Sequence, residues 1–235
     1  MTDMREKERF LNKISHALGR SAVPTTLEDA FDYTQGRQYS RLRGLDDEGL
    51  RACFEAEATV RDFIYCACTR QELANQLKKI IEAETPKNVV CPVDTAADGI
   101  DLLALLESLH APVFGYEADA EPNAQRARIA DADLGITIPQ LAIADTGTYI
   151  EWANRRSGKI VSLLPKVHIA LIYQSRLRAT MTDTMQELEA LYGTEAFPSY
   201  FMHVSGPSST GDIANILVTG VHGPTKEYYL SLIHI

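Results

Sequence analysis

The sequence predicts an α/β protein, a three-layer sandwich with a mixed, mostly parallel sheet and additional N-terminal helices. Two short apolar runs, residues 88–93 and 111–116, flank a segment at 100–109 whose apolar residues follow helical spacing. Strand, helix and strand joined by short links form the βαβ unit, which builds parallel sheets covered by helices. Apolar runs at residues 167–173 and 228–235 predict two more buried strands. We therefore expect one main α/β domain.

The N-terminal region is predicted to be helical. Residues 3–18 have apolar side chains at the spacing of one helix face, and Gly19 is suited to end that helix. Residues 46–64 predict a second amphipathic helix. These patterns indicate a helical extension over residues 1–68 and an α/β domain over residues 69–235.

Capping and turn signals organise the rest of the chain. Thr69 and Glu72 are spaced as a capping box, in which a hydroxyl and a carboxylate bond the free N–H groups at a helix start. Residues 134–144 predict a strand pair or one interrupted strand, and residues 149–152 alternate like the return strand of a hairpin. The sequence also predicts a helix over residues 182–192 and a strand over residues 200–204.

Composition and charge exclude some function classes. The formal net charge is −9 and the isoelectric point is about 5.2, whereas a nucleic-acid-binding surface is basic. The chain has no apolar run long enough for a transmembrane helix, and its first residues lack the apolar core of a signal peptide. We therefore expect a cytoplasmic protein that binds no nucleic acid.

The four cysteines, Cys53, Cys66, Cys68 and Cys91, do not have the spacing of a zinc or iron–sulfur site. In a strand, Cys66 and Cys68 would share one face. We expect structural thiols, no bound metal and no cofactor held by this chain.

The glycine- and hydroxyl-rich segment 205–212 is the strongest candidate for a ligand site. It lies between a predicted strand and a helix start predicted over residues 212–217, where free N–H groups and a partial positive charge suit a carboxylate, phosphate or carbonyl oxygen. Alternatively, one of its hydroxyl or carboxylate groups only caps that helix. The candidate ligand-binding residues are Ser205, Gly206, Pro207, Ser208, Ser209, Thr210 and Asp212.

Two further loops contain candidate catalytic residues. His222 and Gly223 lie in a Gly-Val-His-Gly-Pro loop, where the imidazole could act as an acid or base or bond the same ligand. A histidine that only fixes the loop is the alternative. Asp145 is a candidate acid at the end of an apolar strand, with Thr146 and Gly147 as ligand-binding candidates. A hairpin turn explains these three residues equally well.

Four motifs in this order resemble the lactate-utilisation (LUD) domain family. They are residues 144–148, residues 162–165 with His168, residues 205–213 and residues 220–224. The resemblance implies a fold like that of the NagB/RpiA/CoA-transferase group. It also implies a role in oxidising L-lactate to pyruvate with iron–sulfur and cysteine-rich partner proteins. Of the two histidines in these motifs, we expect His222 to matter more than His168, because glycines flank it.

Three functional hypotheses remain open at this point. The chain is a non-cluster subunit of an L-lactate oxidation system that binds a small carboxylate- or phosphate-bearing ligand. Alternatively, it is an autonomous CoA-transferase-like enzyme with Asp145 as its acid. The third possibility is a purely structural or regulatory subunit. Activity of the isolated chain would favour the second hypothesis.

Overall fold

The computed structural model describes residues 4–23, 42, 44–194, 197–198, 200–211 and 216–233. Its helices are α1 (Met4–Ala17), α2 (Asp47–Val60), α3 (Leu73–Glu84), α4 (Leu102–Ser108), α5 (Pro122–Ala130), α6 (Ile160–Leu163) and α7 (Met181–Leu191). Its strands are β1 (Ile64–Thr69), β2 (Val89–Cys91), β3 (Val113–Gly115), β4 (Leu134–Thr137), β5 (Leu141–Ile143), β6 (Thr148–Trp152), β7 (Val167–Tyr173), β8 (Leu177–Arg178), β9 (Phe201–Val204), β10 (Ser209–Thr210), β11 (Val218–Thr219) and β12 (Lys226–Ile233). Chain contacts divide the protein into two units, Met1–Gly36 and Arg37–Ile235. Among the described residues, no helix has the length and apolar character needed to cross a bilayer.

The second unit is built on a six-stranded sheet of order β1-β12-β7-β4-β2-β3. All of its paired strands are parallel. Side chains alternate between its two faces. On β7, Ile169 and Leu171 point to a core shared with α3 and α4, whereas Ala170 and Ile172 point to the opposite core. The prediction of an α/β fold with a mostly parallel sheet is confirmed.

A second, four-stranded sheet of order β8-β5-β6-β9 covers part of the opposite face. Helix α2 packs into the core between the two sheets through Phe54 and Ala58, and α5 and α6 cover the neighbouring strands through Ile129 and Val161. The β5–β6 hairpin is antiparallel, as the alternation of residues 149–152 predicts. Residues 134–144 form two strands, β4 and β5, which belong to different sheets. The sequence pattern did not predict this change of sheet.

The capping box at the start of the α/β region forms as predicted. The Thr69 N–H donates to Glu72 Oε2 over 2.9 Å, and the Glu72 N–H donates to Thr69 Oγ1 over 3.3 Å. Regular helix begins just after this pair, at Leu73. The expected domain boundary at residue 68 falls within β1, which pairs with β12 along its whole length. The α/β domain therefore begins before residue 69.

Gly135 allows α6 to approach the central sheet. A Cβ atom at this position would lie 2.2 Å from the Val161 carbonyl oxygen and 3.0 Å from Pro165 Cγ. Both distances are shorter than ordinary contacts, and the first involves backbone, which cannot rotate away. The side-chain hydrogen atom of glycine is therefore required where β4 passes under α6.

Replacing Gly135 with Ala is expected to destabilise the protein by roughly 1–3 kcal/mol, because the added methyl group overpacks the contact with α6. Urea unfolding measures this change. Gly211→Ala is the matched control, since nothing lies within 4 Å of a Cβ there and its φ is not positive. Equal stability of the two variants would contradict the packing account.

Candidate functional site

A network of buried polar side chains lies between the two sheets. His168 on β7 and Glu227 on β12 are paired neighbours in the central sheet, and both are at most 1% exposed. His168 Nδ1 lies 2.5 Å from Glu227 Oε1. The Tyr149 hydroxyl of β6, which comes from the other sheet, donates to the same carboxylate oxygen over 2.9 Å. Glu227 therefore joins the two sheets through polar contacts.

The network continues on the other side of the imidazole. Thr137 Oγ1, at the end of β4, lies 3.1 Å from His168 Nε2 and 3.3 Å from Glu151 Oε2. Glu151 lies on β6, is 3% exposed and also contacts the Ser162 hydroxyl of α6. If Thr137 donates to Glu151, its oxygen can accept from His168 Nε2–H. One hydroxyl thus connects a carboxyl group to an imidazole.

Burial and neighbouring charges set the protonation of this network. Burial raises the pKa of Glu151 to about 7, although the charge of His168 and hydrogen bonds from Ser162 and Thr137 act against the rise. Burial by itself lowers the pKa of His168, but the Glu227 charge and hydrogen bond outweigh it, so the pKa is raised. Burial and the charges of Glu227 and Glu151 raise the pKa of Tyr149 well above its usual range. The raised pKa of His168 therefore favours its protonated form, the Tyr149 phenol keeps its proton near neutral pH, and Glu151 can gain or lose a proton there.

Glu151 also lines a narrow cleft at the carboxyl edge of the central sheet. The cleft lies just beyond β2 and β4, and its lining includes Pro92, Thr95, Asp98, Gln140, Arg156 and Ser157. These adjacent strands are connected onward in opposite directions: β2 leads through α4 to the edge strand β3, and β4 leads to the second sheet. Such a switch point is where ligands of open α/β sheets usually bind.

Two arginines share one carboxylate beside this cleft. Arg156 Nη1 lies 2.7 Å from Asp98 Oδ2, and Arg176 Nη2 contacts Asp98 Oδ1. Arg176 Nη1 also donates to the Pro139 carbonyl oxygen over 2.8 Å. The Asp98 side chain is only 10% exposed. These three groups carry a formal net charge of one positive unit at the cleft edge.

The two glycine-containing loops predicted from the sequence do come together. The Ser208 N–H donates to the Pro224 carbonyl oxygen and the Gly220 N–H to the Ser208 carbonyl oxygen, both over 2.8 Å. The His222 N–H donates to Ser208 Oγ over 3.0 Å, and the His222 residue is exposed. These backbone groups are therefore used to hold the loops to each other.

The surroundings of these loops differ from those that the sequence suggests. The strand before the first loop, β9, is antiparallel to β6 in the four-stranded sheet. The second loop, which precedes β12, lies at the amino edge of the parallel sheet. Ser209 and Thr210 form β10, which pairs with β11. Ile216 and Leu217, expected to continue a helix, are not helical, and Asp212 lies outside the described residues. Ligand contact by Ser205, Gly206, Pro207, Ser208, Ser209, Thr210, His222 and Gly223 stays a prediction.

The turn at Asp145 packs against α2. Gly147 has a φ of +59°, and a Cβ atom there would lie 2.4 Å from the Ala58 backbone nitrogen. Thr146 Oγ1 lies 2.8 Å from Thr148 Oγ1, and the Asp145 N–H donates to the Ala179 carbonyl oxygen over 3.1 Å. These contacts account for the turn sequence structurally, and catalysis by Asp145 stays a prediction.

The cysteines occupy helix and core positions. Cys66 and Cys68 share the β1 face that packs on the core with α3 and α4, as the strand period predicts. Burial raises the pKa of Cys68 to about 11 and that of Cys91 to about 12. Both thiols therefore stay protonated near neutral pH, which favours a structural role.

Sequence reasoning missed Thr137, Glu151 and Glu227 and ranked His168 below His222. One signal was available for Glu151: it is two residues from Tyr149 on a strand, so both side chains point to the same buried face. An acid on an inward face needs a partner. No comparable local signal pairs His168 with Glu227, which are 59 residues apart in the sequence.

Comparison with known proteins identifies the family to which this chain belongs. The profile of the LUD domain matches residues 54–231, most of the chain. The protein belongs to the LUD domain family.

Similar relatives carry a more specific name. The chain is 31% identical over 230 residues to "Lactate utilization protein C" of an Exiguobacterium strain, covering 97% of this chain and 96% of the relative. It is 28% identical over 239 residues to the protein of the same name from Bacillus subtilis, again covering 97% and 96%. A DUF162 family protein from Deinococcus radiodurans shares the fold, with a TM-score of 0.60, 20% identity and coverage of 80% of this chain and 99% of that one.

The raised pKa values of Glu151 and His168 predict that stability falls as pH rises. Each group binds its proton more tightly in the folded chain. Its stabilisation is therefore present below its ordinary pKa, 4.5 for Glu151 and 6.5 for His168, and is lost as pH rises through the raised value. Glu151→Gln is expected to flatten this dependence between pH 5 and 8 and to be more stable than the wild type at pH 8, by on the order of 2 kcal/mol.

Urea unfolding at pH 5, 6.5 and 8 checks this expectation. Glu48→Gln is the control, because the Glu48 side chain is 85% exposed. A pH dependence that is the same in the wild type and in Glu151→Gln would show that Glu151 does not hold an extra proton in the folded chain.

Proposed function

We propose that this protein is a subunit of a multi-protein system that oxidises L-lactate to pyruvate, and that it binds a small anionic ligand. The observation that carries the proposal is similarity over 97% of the chain to proteins named "Lactate utilization protein C". The final letter of that name suggests one member of a set. The proposal places the system in the cytoplasm.

The electron acceptor is expected on other subunits. Oxidation of a 2-hydroxy acid removes two electrons, and ordinary side chains do not accept them, so a cofactor is required. The four cysteines of this chain do not have the spacing of an iron–sulfur site. We therefore expect partners with iron–sulfur and cysteine-rich sequences, and no cofactor held by this chain.

A small ligand bearing a carboxylate or phosphate is supported by the positive charge beside the cleft. Arg156 and Arg176 share Asp98, so one of their two charges is not balanced within the cluster. The loops around Ser208 and His222 remain the contact surface predicted from sequence. No nucleic acid partner is proposed, because the chain is acidic.

An autonomous enzyme is the second candidate function, and one observation favours it. The connected groups Glu151, Thr137 and His168 could pass a proton between a carboxyl group at the cleft and an imidazole in the core. A CoA-transferase-like or other small-molecule reaction could use such a carboxyl group. In this reading Glu151, rather than Asp145, is the acid placed at a cleft.

The subunit proposal predicts that a strain without this protein fails to grow on L-lactate and recovers when the gene is restored. The purified chain, given L-lactate and an artificial electron acceptor, should form no pyruvate. Growth on glucose is the control for general fitness. Normal growth of the deletion strain on L-lactate, in a host without another lactate oxidase, would contradict the role in lactate utilisation. Pyruvate formed by the chain alone would contradict the subunit role and favour the autonomous enzyme.

A further inference from the structure

We propose that the cleft lined by Glu151, Arg156 and Ser157 binds a small monocarboxylate of the 2-hydroxy or 2-oxo acid class. This inference rests on the proposed function for the identity of the acid, but its location comes from the structure. It places the ligand at the carboxyl edge of β2 and β4 and away from the loops at Ser208 and His222.

The buried hydroxyl of Ser157 is the first observation. Ser157 is 8% exposed and lines the cleft, and its Oγ atom has no hydrogen-bond partner among the described residues. A buried hydroxyl without a partner is costly, and native proteins rarely retain one without a reason. The Ser157 N–H, in contrast, is satisfied by Asn154 Oδ1 at 3.0 Å. The local turn thus accounts for the Ser157 backbone and leaves its hydroxyl to bond a water molecule or a ligand group in the cleft.

Arg156 supplies a positive charge that would attract the carboxylate of a ligand. Within the described part of the chain its side-chain hydrogen bonds use Nη1, to Asp98 and to the Asp94 carbonyl oxygen. Nη2 and Nε make no hydrogen bond among the described residues, and a guanidinium can bind a carboxylate through two such groups. The cleft as it stands has a free volume of about 10 Å³, room for one water molecule, so a monocarboxylate enters only when the Arg156 side chain, which is 37% exposed, moves outward.

Charge balance selects a monocarboxylate over a phosphate. Arg156, Arg176 and Asp98 sum to one positive charge, which a single carboxylate neutralises. Glu151 lines the same cleft: it leaves this positive charge in place while it is protonated and cancels it when it ionises, so a doubly charged phosphate is disfavoured in both states. As a carboxyl group it can instead share a hydrogen bond with a hydroxyl or carbonyl oxygen next to the ligand carboxylate.

Titration calorimetry with L-lactate, pyruvate, propionate and inorganic phosphate tests the assignment. We expect the wild type to bind lactate or pyruvate more tightly than propionate, which lacks the hydroxyl or carbonyl oxygen at carbon 2, and more tightly than phosphate. Ser157→Ala should weaken binding about 2- to 12-fold, and Arg156→Gln about 12-fold or more, since it removes a charged donor. Arg155→Gln is the matched control, because Arg155 pairs with Asp119 and does not line the cleft.

Thermal unfolding of the Ser157→Ala variant shows whether any loss of binding is caused by a loss of folding stability. Removing an unpartnered buried hydroxyl should leave Ser157→Ala as stable as the wild type or more stable, even while ligand binding weakens. Unchanged binding in both cleft variants would overturn the inference. If Ser208→Ala abolishes binding in that case, the ligand lies at the glycine-rich loops and the proposed function stands. Absence of binding to the wild type, or tighter binding of phosphate, would also overturn the inference, while the growth test decides the lactate role separately.

Discussion

The hydrogen bond between His168 and Glu227 is the interaction on which the interior of this protein depends. Two ionisable groups in a core between two sheets are costly unless each has a partner. Here the pair is held by adjacent strands of the central sheet, and Tyr149 from the second sheet completes it. The correct stacking of the two sheets therefore completes the network, and a shifted stacking would leave the buried Tyr149 hydroxyl without its acceptor and Glu227 without one of its hydrogen bonds.

The same network connects the core to the surface. Thr137 is at the end of β4 and contacts both His168 and Glu151, and Glu151 lines the cleft. The pKa of Glu151, about 7, follows from burial in this position. The polar network that joins the two sheets thus includes a titratable carboxyl group, Glu151, at the switch point of the parallel sheet. That combination makes the cleft a stronger candidate for chemistry than a loop whose backbone groups bond to each other.

Local signals in the sequence were predictive, and long-range ones were not. The capping box at Thr69 and the hairpin at residues 141–152 depend on neighbouring residues, and both form. The pairing of β7 with β12, and hence of His168 with Glu227, depends on strands far apart in the chain. A glycine-rich motif can be recognised from neighbouring residues, whereas the cleft at Arg156 is assembled from three separate segments of the chain. The resemblance to the LUD domain family, by contrast, rests on several motifs together, and the family assignment is confirmed.

A crystal structure of the protein with pyruvate bound tests the central claim most directly. The account predicts that the pyruvate carboxylate contacts the Arg156 guanidinium, and that Ser157 Oγ and Glu151 lie within hydrogen-bonding distance of the ligand. Pyruvate bound at Ser208 and His222, with Ser157 and Arg156 unchanged, would contradict it.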